Sequence, residues 1–120
     1  HKLDFIFLYM VETDEKGGHD NGWMSETYLD YVSRAIDGVK KIVEAHGKDY
    51  TVILTSDHGG HDRIHGTDSP EDMTIPMLFM GKDFEAGNQF DGGSILDIAP
   101  TVATLMGVFI PREWEGKSLI

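Results

Sequence analysis

The run Tyr50-Thr-Val-Ile-Leu-Thr55, followed at once by Ser56-Asp57-His58-Gly59-Gly60, constrains the fold of this chain more than any other stretch. Valine, isoleucine, leucine and threonine in a short block read as a strand buried in a sheet. The glycine pair ends it, which sets Asp57 and His58 side by side at the strand's C-terminal edge. Open α/β sheets build their sites at that edge. The loop then runs through His61, Asp62, His65 and Asp68, so that three histidines and three aspartates fall within the fourteen residues from Thr55 to Asp68. Imidazole nitrogen and carboxylate oxygen together suit zinc or another borderline divalent ion. A solvated polar loop that happens to be rich in histidine is the alternative.

A second cluster, Asp14-Glu-Lys-Gly17-Gly18-His19-Asp-Asn-Gly22, also follows an apolar run, Phe5 to Val11. A Gly17-Gly18 turn is expected to fold Asp14 and His19 toward one point. Two strands of one sheet, each ending in an Asp/His/Gly loop, would aim their ligands at a common cleft.

At 120 residues the chain forms one domain with a modest core, and an apolar fraction of 40% in periodic segments argues for a folded protein. A net charge of −11 argues against a nucleic-acid backbone or an anionic membrane as the main partner. Ligand carboxylates offset by bound cations would account for part of that charge, and so would plain solubility. The absence of cysteine excludes disulfides and thiolate zinc sites and leaves the redox compartment open. No stretch approaches the roughly 20 apolar residues of a membrane span. His1-Lys-Leu-Asp4 does not resemble a signal peptide, and with no initiator Met the chain is expected to be cut from something longer.

Leu3 to Val11, apolar except for Asp4, reads as a central parallel strand covered on both faces. Ser25 is a candidate N-cap for a helix with Glu26 in its first turn and Tyr28, Val32, Ile36, Val39, Ile42 and Val43 as its buried stripe. Gly47 stops it, and His46 complements the helix dipole at the surface rather than serving as a ligand. After the strand Tyr50–Thr55 comes a long loop, Ser56 to Asp72, and long ordered loops are usually functional. Thr74 to Met80 reads as a third strand with Pro76 near its start. Gly81 to Gly93 is turn material. Asp97 is expected to cap a short helix with Pro100 in its first turn and Ala99, Val102, Ala103, Leu105 and Met106 on its packing face, ending at Gly107. The tail is irregular, with Trp114 as an anchor. The order strand–helix–strand–strand–helix is part of an α/β layered sheet.

These motifs together resemble the alkaline phosphatase superfamily, most nearly its type I phosphodiesterase/nucleotide pyrophosphatase branch. Asp14…Gly18-His19-Asp-Asn-Gly22 looks like that group's first motif, Ser56-Asp57-His58-Gly59 its second and His65-Gly66 its third. Asp97-Ile-Ala-Pro-Thr-Val-Ala-Thr-Leu-Met-Gly107, Pro111 and Glu115-Gly-Lys-Ser-Leu119 are similar to its C-terminal segment. The resemblance covers essentially the whole chain. It implies a partial alkaline-phosphatase-like sheet, mostly parallel strands flanked by helices, with residues 1–120 as the C-terminal half of a metallohydrolase domain.

By the same resemblance, Asp14, His19 and His65 would hold one zinc ion and Asp57 and His58 a second. Two such ions clamp the attacking and leaving oxygens of an in-line displacement. His61 and Asp62 lie between ligands, as partners that fix ring orientation or as exposed loop residues. The spacing from Asp14 to His19 is one residue longer than the usual motif, the extra residue being a glycine. The nucleophilic Thr or Ser and one further metal-binding Asp are expected upstream, so no catalytic nucleophile is assigned here. Thr55 and Ser56 more simply finish the strand. The implied activity is two-zinc hydrolysis of a small phosphate ester, a phosphodiester or nucleotide pyrophosphate. Sulfatase, phosphonate hydrolase and phosphomutase chemistries are its relatives. A non-catalytic metal-binding module is the competing reading, and these residues alone are expected to turn over negligibly. Uncovered apolar strand edges would favour a homo-oligomer.

Overall fold

The computed structural model describes residues 2–90 and 92–120. Its longest element is α1, Glu26–His46, opened by Ser25, whose backbone is extended and whose Oγ accepts the Tyr28 N–H at 3.1 Å. Gly47 closes it, donating to the Val43 carbonyl. The expected stripe is half-buried rather than buried: α1 has no fully buried residue, and Ile36 and Ile42 are exposed.

The strand β1, Val52–Thr55, pairs with β2, Met77–Met80, in the register Val52↔Met80 to Thr55↔Met77. Pro76 sits just before β2, where its missing N–H breaks no ladder bond. The pairing is antiparallel, against the mostly parallel sheet expected. The reason is the connection. The chain leaves β1 at Thr55 and re-enters β2 opposite it, with the Thr55 hydroxyl donating to the Pro76 carbonyl at 2.9 Å. A parallel pair would need a crossover to the far end.

The expected strand Leu3–Val11 does not form. The segment belongs to no ladder, and Leu3, Phe5, Ile6, Phe7, Leu8, Tyr9 and Met10 are all exposed. A run apolar on both faces needs a neighbouring strand and a covering layer on each side. Among the described residues it meets isolated contacts instead, such as the Tyr50 hydroxyl donating to the Leu3 carbonyl at 2.8 Å and Met10 lying against Gly38 of α1.

Toward the C-terminus, a 3₁₀ turn, Ile95–Asp97, leads into α3, Ile98–Leu105; a short helix, α2, Pro70–Met73, lies between the strands in sequence. Asp97 does not cap α3 with its side chain. Its carboxylate instead accepts the Ser94 N–H, closing a capping box, and the Lys117 N–H, each at 2.8 Å. These donors, Lys117 first, hold its carboxyl below the usual range. Fully buried Thr101 donates to the Asp97 carbonyl at 2.7 Å and accepts the Leu119 N–H at 3.0 Å. The tail is therefore fastened by backbone bonds to two polar side chains. Trp114, the expected anchor, is 44% exposed. Pro100 and Ala103 complete this small core, while Met106 of the expected packing face is exposed. No helix among the described residues is long and apolar enough to cross a membrane.

Candidate metal centre

Asp14 and His19 lie on a π-helix, Thr13–His19, and not on the turn their glycines suggested. In an α-helix, residues five apart point about 140° away from each other. The wider i→i+5 winding brings them to one side. The extra residue between them is thus taken up by one overwide turn, and His19 Nε2 stands 3.6 Å from Asp14 Oδ1. Gly17 and Gly18 are buried in this turn, Gly17 against Tyr28 and Tyr31 of α1. Burial, and then the charge of Asp14, pushes the Tyr28 hydroxyl above its ordinary value.

The second loop brings His58 and His65 to the same carboxylate. Their Nε2 atoms lie 4.0 and 3.8 Å from Asp14 Oδ1, and the two rings stack with centroids 3.7 Å apart. Asp14, His58 and His65 each present a ligand atom within 4.8 Å of the others. Asp14 Oδ1 is buried and has no hydrogen-bond partner among the described residues. A buried carboxylate oxygen is costly unless something compensates it.

Tetrahedral ligands about 2.1 Å from a zinc ion sit about 3.4 Å from one another, near the spacing of the imidazole nitrogens around this oxygen. The tautomers also fit. His19 Nδ1 lies 2.9 Å from the Arg63 carbonyl and His58 Nδ1 2.7 Å from the Gly59 carbonyl. A carbonyl only accepts, so each Nδ1 is the donor, and the neutral ring in that tautomer offers its Nε2 lone pair to a metal. The residues present therefore fit a divalent ion.

Asp57 stands at the rim, its side chain 62% exposed and its Oδ1 3.8 Å from His58 Nε2. The tightest group, Asp14, His58 and His65, mixes members of the two ligand sets that the resemblance implied, with His19 joined to it through Asp14.

Among the described residues, His61 pairs with Asp72 and with none of the proposed ligand rings. Its Nδ1 donates to Asp72 Oδ1 at 2.7 Å. Asp62 is exposed and holds a left-handed φ of 48°, with its carbonyl accepting the Trp23 N–H at 2.7 Å.

Two residues that the sequence did not single out organise the site. The buried Asp72 carboxylate accepts from His61 and from both the N–H and the hydroxyl of Thr67, while its own carbonyl accepts the Gly59 N–H. It thereby ties both arms of the loop that carries His65. The His61 bond, then Thr67, lowers its carboxyl to about 2, and the same bond raises His61. Ser69-Pro70 at the start of α2 was the available signal, since a serine N-cap followed by proline fixes Asp72 in the first turn. The other residue is Trp23, whose ring lies edge-on to His19 and His65 at 5.1 and 5.9 Å.

The chain is 31% identical, over its whole length, to the 2,3-bisphosphoglycerate-independent phosphoglycerate mutase of Clostridium tetani, covering 24% of that protein. It is 32% identical over 99% of its length to the mutase of the same name from Clostridioides difficile, again covering 24%. The Shewanella frigidimarina protein of that name matches at 34% over 72% of the chain and 18% of its own length. The chain thus spans about a quarter of the first two relatives. These relatives are named as mutases, not as the phosphodiesterases that the motifs most nearly resembled. No solved structure matches. The family model for the Metalloenzyme superfamily matches residues 1–109, and the chain belongs to that alkaline-phosphatase-like superfamily.

Proposed function

We propose that this chain supplies most of the metal ligands of a divalent-metal phosphoryl-transfer enzyme acting on a small phosphate ester. The observation that carries the reading is the buried, unpartnered Asp14 Oδ1 ringed by three imidazole nitrogens. Asp14, His19, His58 and His65 are the proposed ligands of one ion, and Asp57 at the rim would contribute to a second. A donor set rich in imidazole and free of thiolate favours zinc. Bound there, the ions would supply Lewis acidity toward a phosphoryl group. The mutase names of the relatives favour transfer of that group to an alcohol.

Thr55 is a poor candidate nucleophile, because its hydroxyl donates to the Pro76 carbonyl at the strand end. Hydrolysis of a phosphodiester or nucleotide pyrophosphate is the second reading. It is favoured by the open rim, where Asp57 and His19 leave 62% and 41% of their side chains to solvent. An acidic chain of net charge −11 suits a small substrate better than nucleic acid.

The test is zinc stoichiometry by native mass spectrometry on the protein and on His65→Ala, followed by ³¹P analysis of products from phosphoglycerates and a nitrophenyl phosphodiester. Metal bound by the protein and lost in the variant supports the centre. Transfer to an alcohol supports the first reading and release to water the second. Full binding by His65→Ala would overturn the ligand assignment.

A further inference from the structure

We propose that Trp23 is a positioning residue for the metal centre: its indole seats on Gly18 of one ligand loop and Gly60 of the other and sets their spacing. The inference rests on the metal reading above.

Gly18 directly precedes His19, and Gly60 follows His58 by two residues. A Cβ built at either glycine would overlap atoms of the indole, and the two sets of overlapped atoms share Cε2. Both loops therefore lie in direct backbone contact with one rigid ring. The ring also meets the rings of His19 and His65 edge-on, at 85° and 73°. Its backbone is fixed to the second loop by the N–H donated to the Asp62 carbonyl, and the first loop reaches the second again through His19 and the Arg63 carbonyl.

A large side chain with two χ angles holds such a spacing with little conformational freedom, and packed interiors transmit a displacement rather than absorb it. Moving the indole would therefore move Asp14 and His19 relative to His58 and His65. Glycine is required at 18 and 60 by this approach, independently of any turn.

The experiment uses the Trp114→Phe protein, which leaves Trp23 as its one tryptophan. Zinc is titrated with Trp23 fluorescence and native mass spectrometry as readouts, and α1 helicity by circular dichroism serves as the fold control. Zinc is expected to change the emission of Trp23. Trp23→Ala and Gly60→Ala are each expected to weaken zinc binding about 10-fold or more, the range seen when the support of a metal ligand is removed.

Combining Trp23→Ala with Gly60→Ala is expected to weaken binding no further than Trp23→Ala alone, because the added methyl then meets a void. Should Trp23→Ala not fold, Trp23→Phe and Gly60→Ala carry the comparison. Unchanged zinc affinity in these variants, or additive losses in the pair, overturns the proposal. If the parent protein binds no zinc, the metal reading fails separately. The clamp is then judged by hydrogen exchange at His61 and Ile64, whose amides bond each other's carbonyls. Protection lost in the Trp23 variant supports the clamp, and protection kept overturns it.

Discussion

The polar ligand loops and the apolar run Leu3–Met10 exchange the roles that hydropathy would give them. The loops hold buried carboxylates, glycines packed under an aromatic ring and a network of closed hydrogen bonds. The apolar run lies open, with Phe7 78% exposed and no ladder bonds. The difference is one of range. A loop can satisfy itself with serine, threonine, aspartate and histidine a few residues away, whereas a two-faced strand depends wholly on distant partners. The total accessible surface shows the consequence. It is 9069 Å² for 13.4 kDa, where a self-contained monomer of that mass exposes about 6,500 Å². The excess exceeds the roughly 1,600 Å² that a standard interface buries.

The largest expected effect sharpens the loop side of the comparison. His65→Ala removes one of three nitrogens around the buried Asp14 oxygen. Zinc affinity measured by competition with a chromophoric chelator should fall by at least about 100-fold, beyond the 10–100-fold typical of losing a ligand's supporting partner. An unchanged affinity would mean that the convergence of these rings is packing alone.

Asp72→Asn should have the next largest effect. It keeps the shape but removes the charge that His61 and Thr67 address. Zinc affinity is expected to drop about 10-fold, with His61 titrating nearer its ordinary value by NMR and exchange protection lost across residues 59–67. Retained affinity together with retained protection would show that the loop stands without its central carboxylate.

How far the sequence disclosed these features depended on the range of the interactions behind them. The Ser25 cap, α1 and the C-terminal ends of β1 and β2 are written in neighbouring residues and could be read directly, whereas both strands start later than expected, at Val52 in place of Tyr50 and at Met77 in place of Thr74. So could the candidate ligands as residue types. Their grouping could not, because His58 meets Asp14 and His65 through contacts 44 and 7 residues apart in the chain. The π turn left a trace, the one-residue excess between Asp14 and His19, but its meaning depended on backbone geometry. Trp23 and Asp72 left almost none, since a residue that acts on backbone and on distant glycines has no periodicity of its own. Leu3–Val11 misled for the opposite reason: its composition states what it needs, and the described residues do not provide it.

The apolar side of the comparison is tested by Phe7→Lys. Phe7 makes little contact in the structure, so thermal stability should shift by no more than about 0.5 kcal/mol. Association is expected to respond instead. An open, apolar strand-former is a template for pairing with another chain, and a lysine there blocks it. Analytical ultracentrifugation should show concentration-dependent self-association of the parent that weakens in the variant. A parent that stays monomeric at high concentration would mean that the exposed run does not recruit a second copy.

The smallest effect expected is the pH dependence of the His61–Asp72 pair. Asp72 is lowered from 3.8 to about 2, so its contribution to stability is present above pH 3.8 and lost as pH falls toward 2. His61 is raised from 6.5, so its contribution is complete below pH 6.5 and lost as pH rises through the elevated folded value. The pair therefore stabilises the loop most between these limits. The difference in thermal midpoint between the parent and His61→Gln should be flat across the weakly acidic range and shrink on the alkaline side. The same difference for Phe7→Lys should show no such profile, because Phe7 is itself uncharged and 78% exposed. A His61→Gln difference that instead grows with pH would mean that neutral His61 already satisfies Asp72, and that the loop is held by hydrogen bonding without charge.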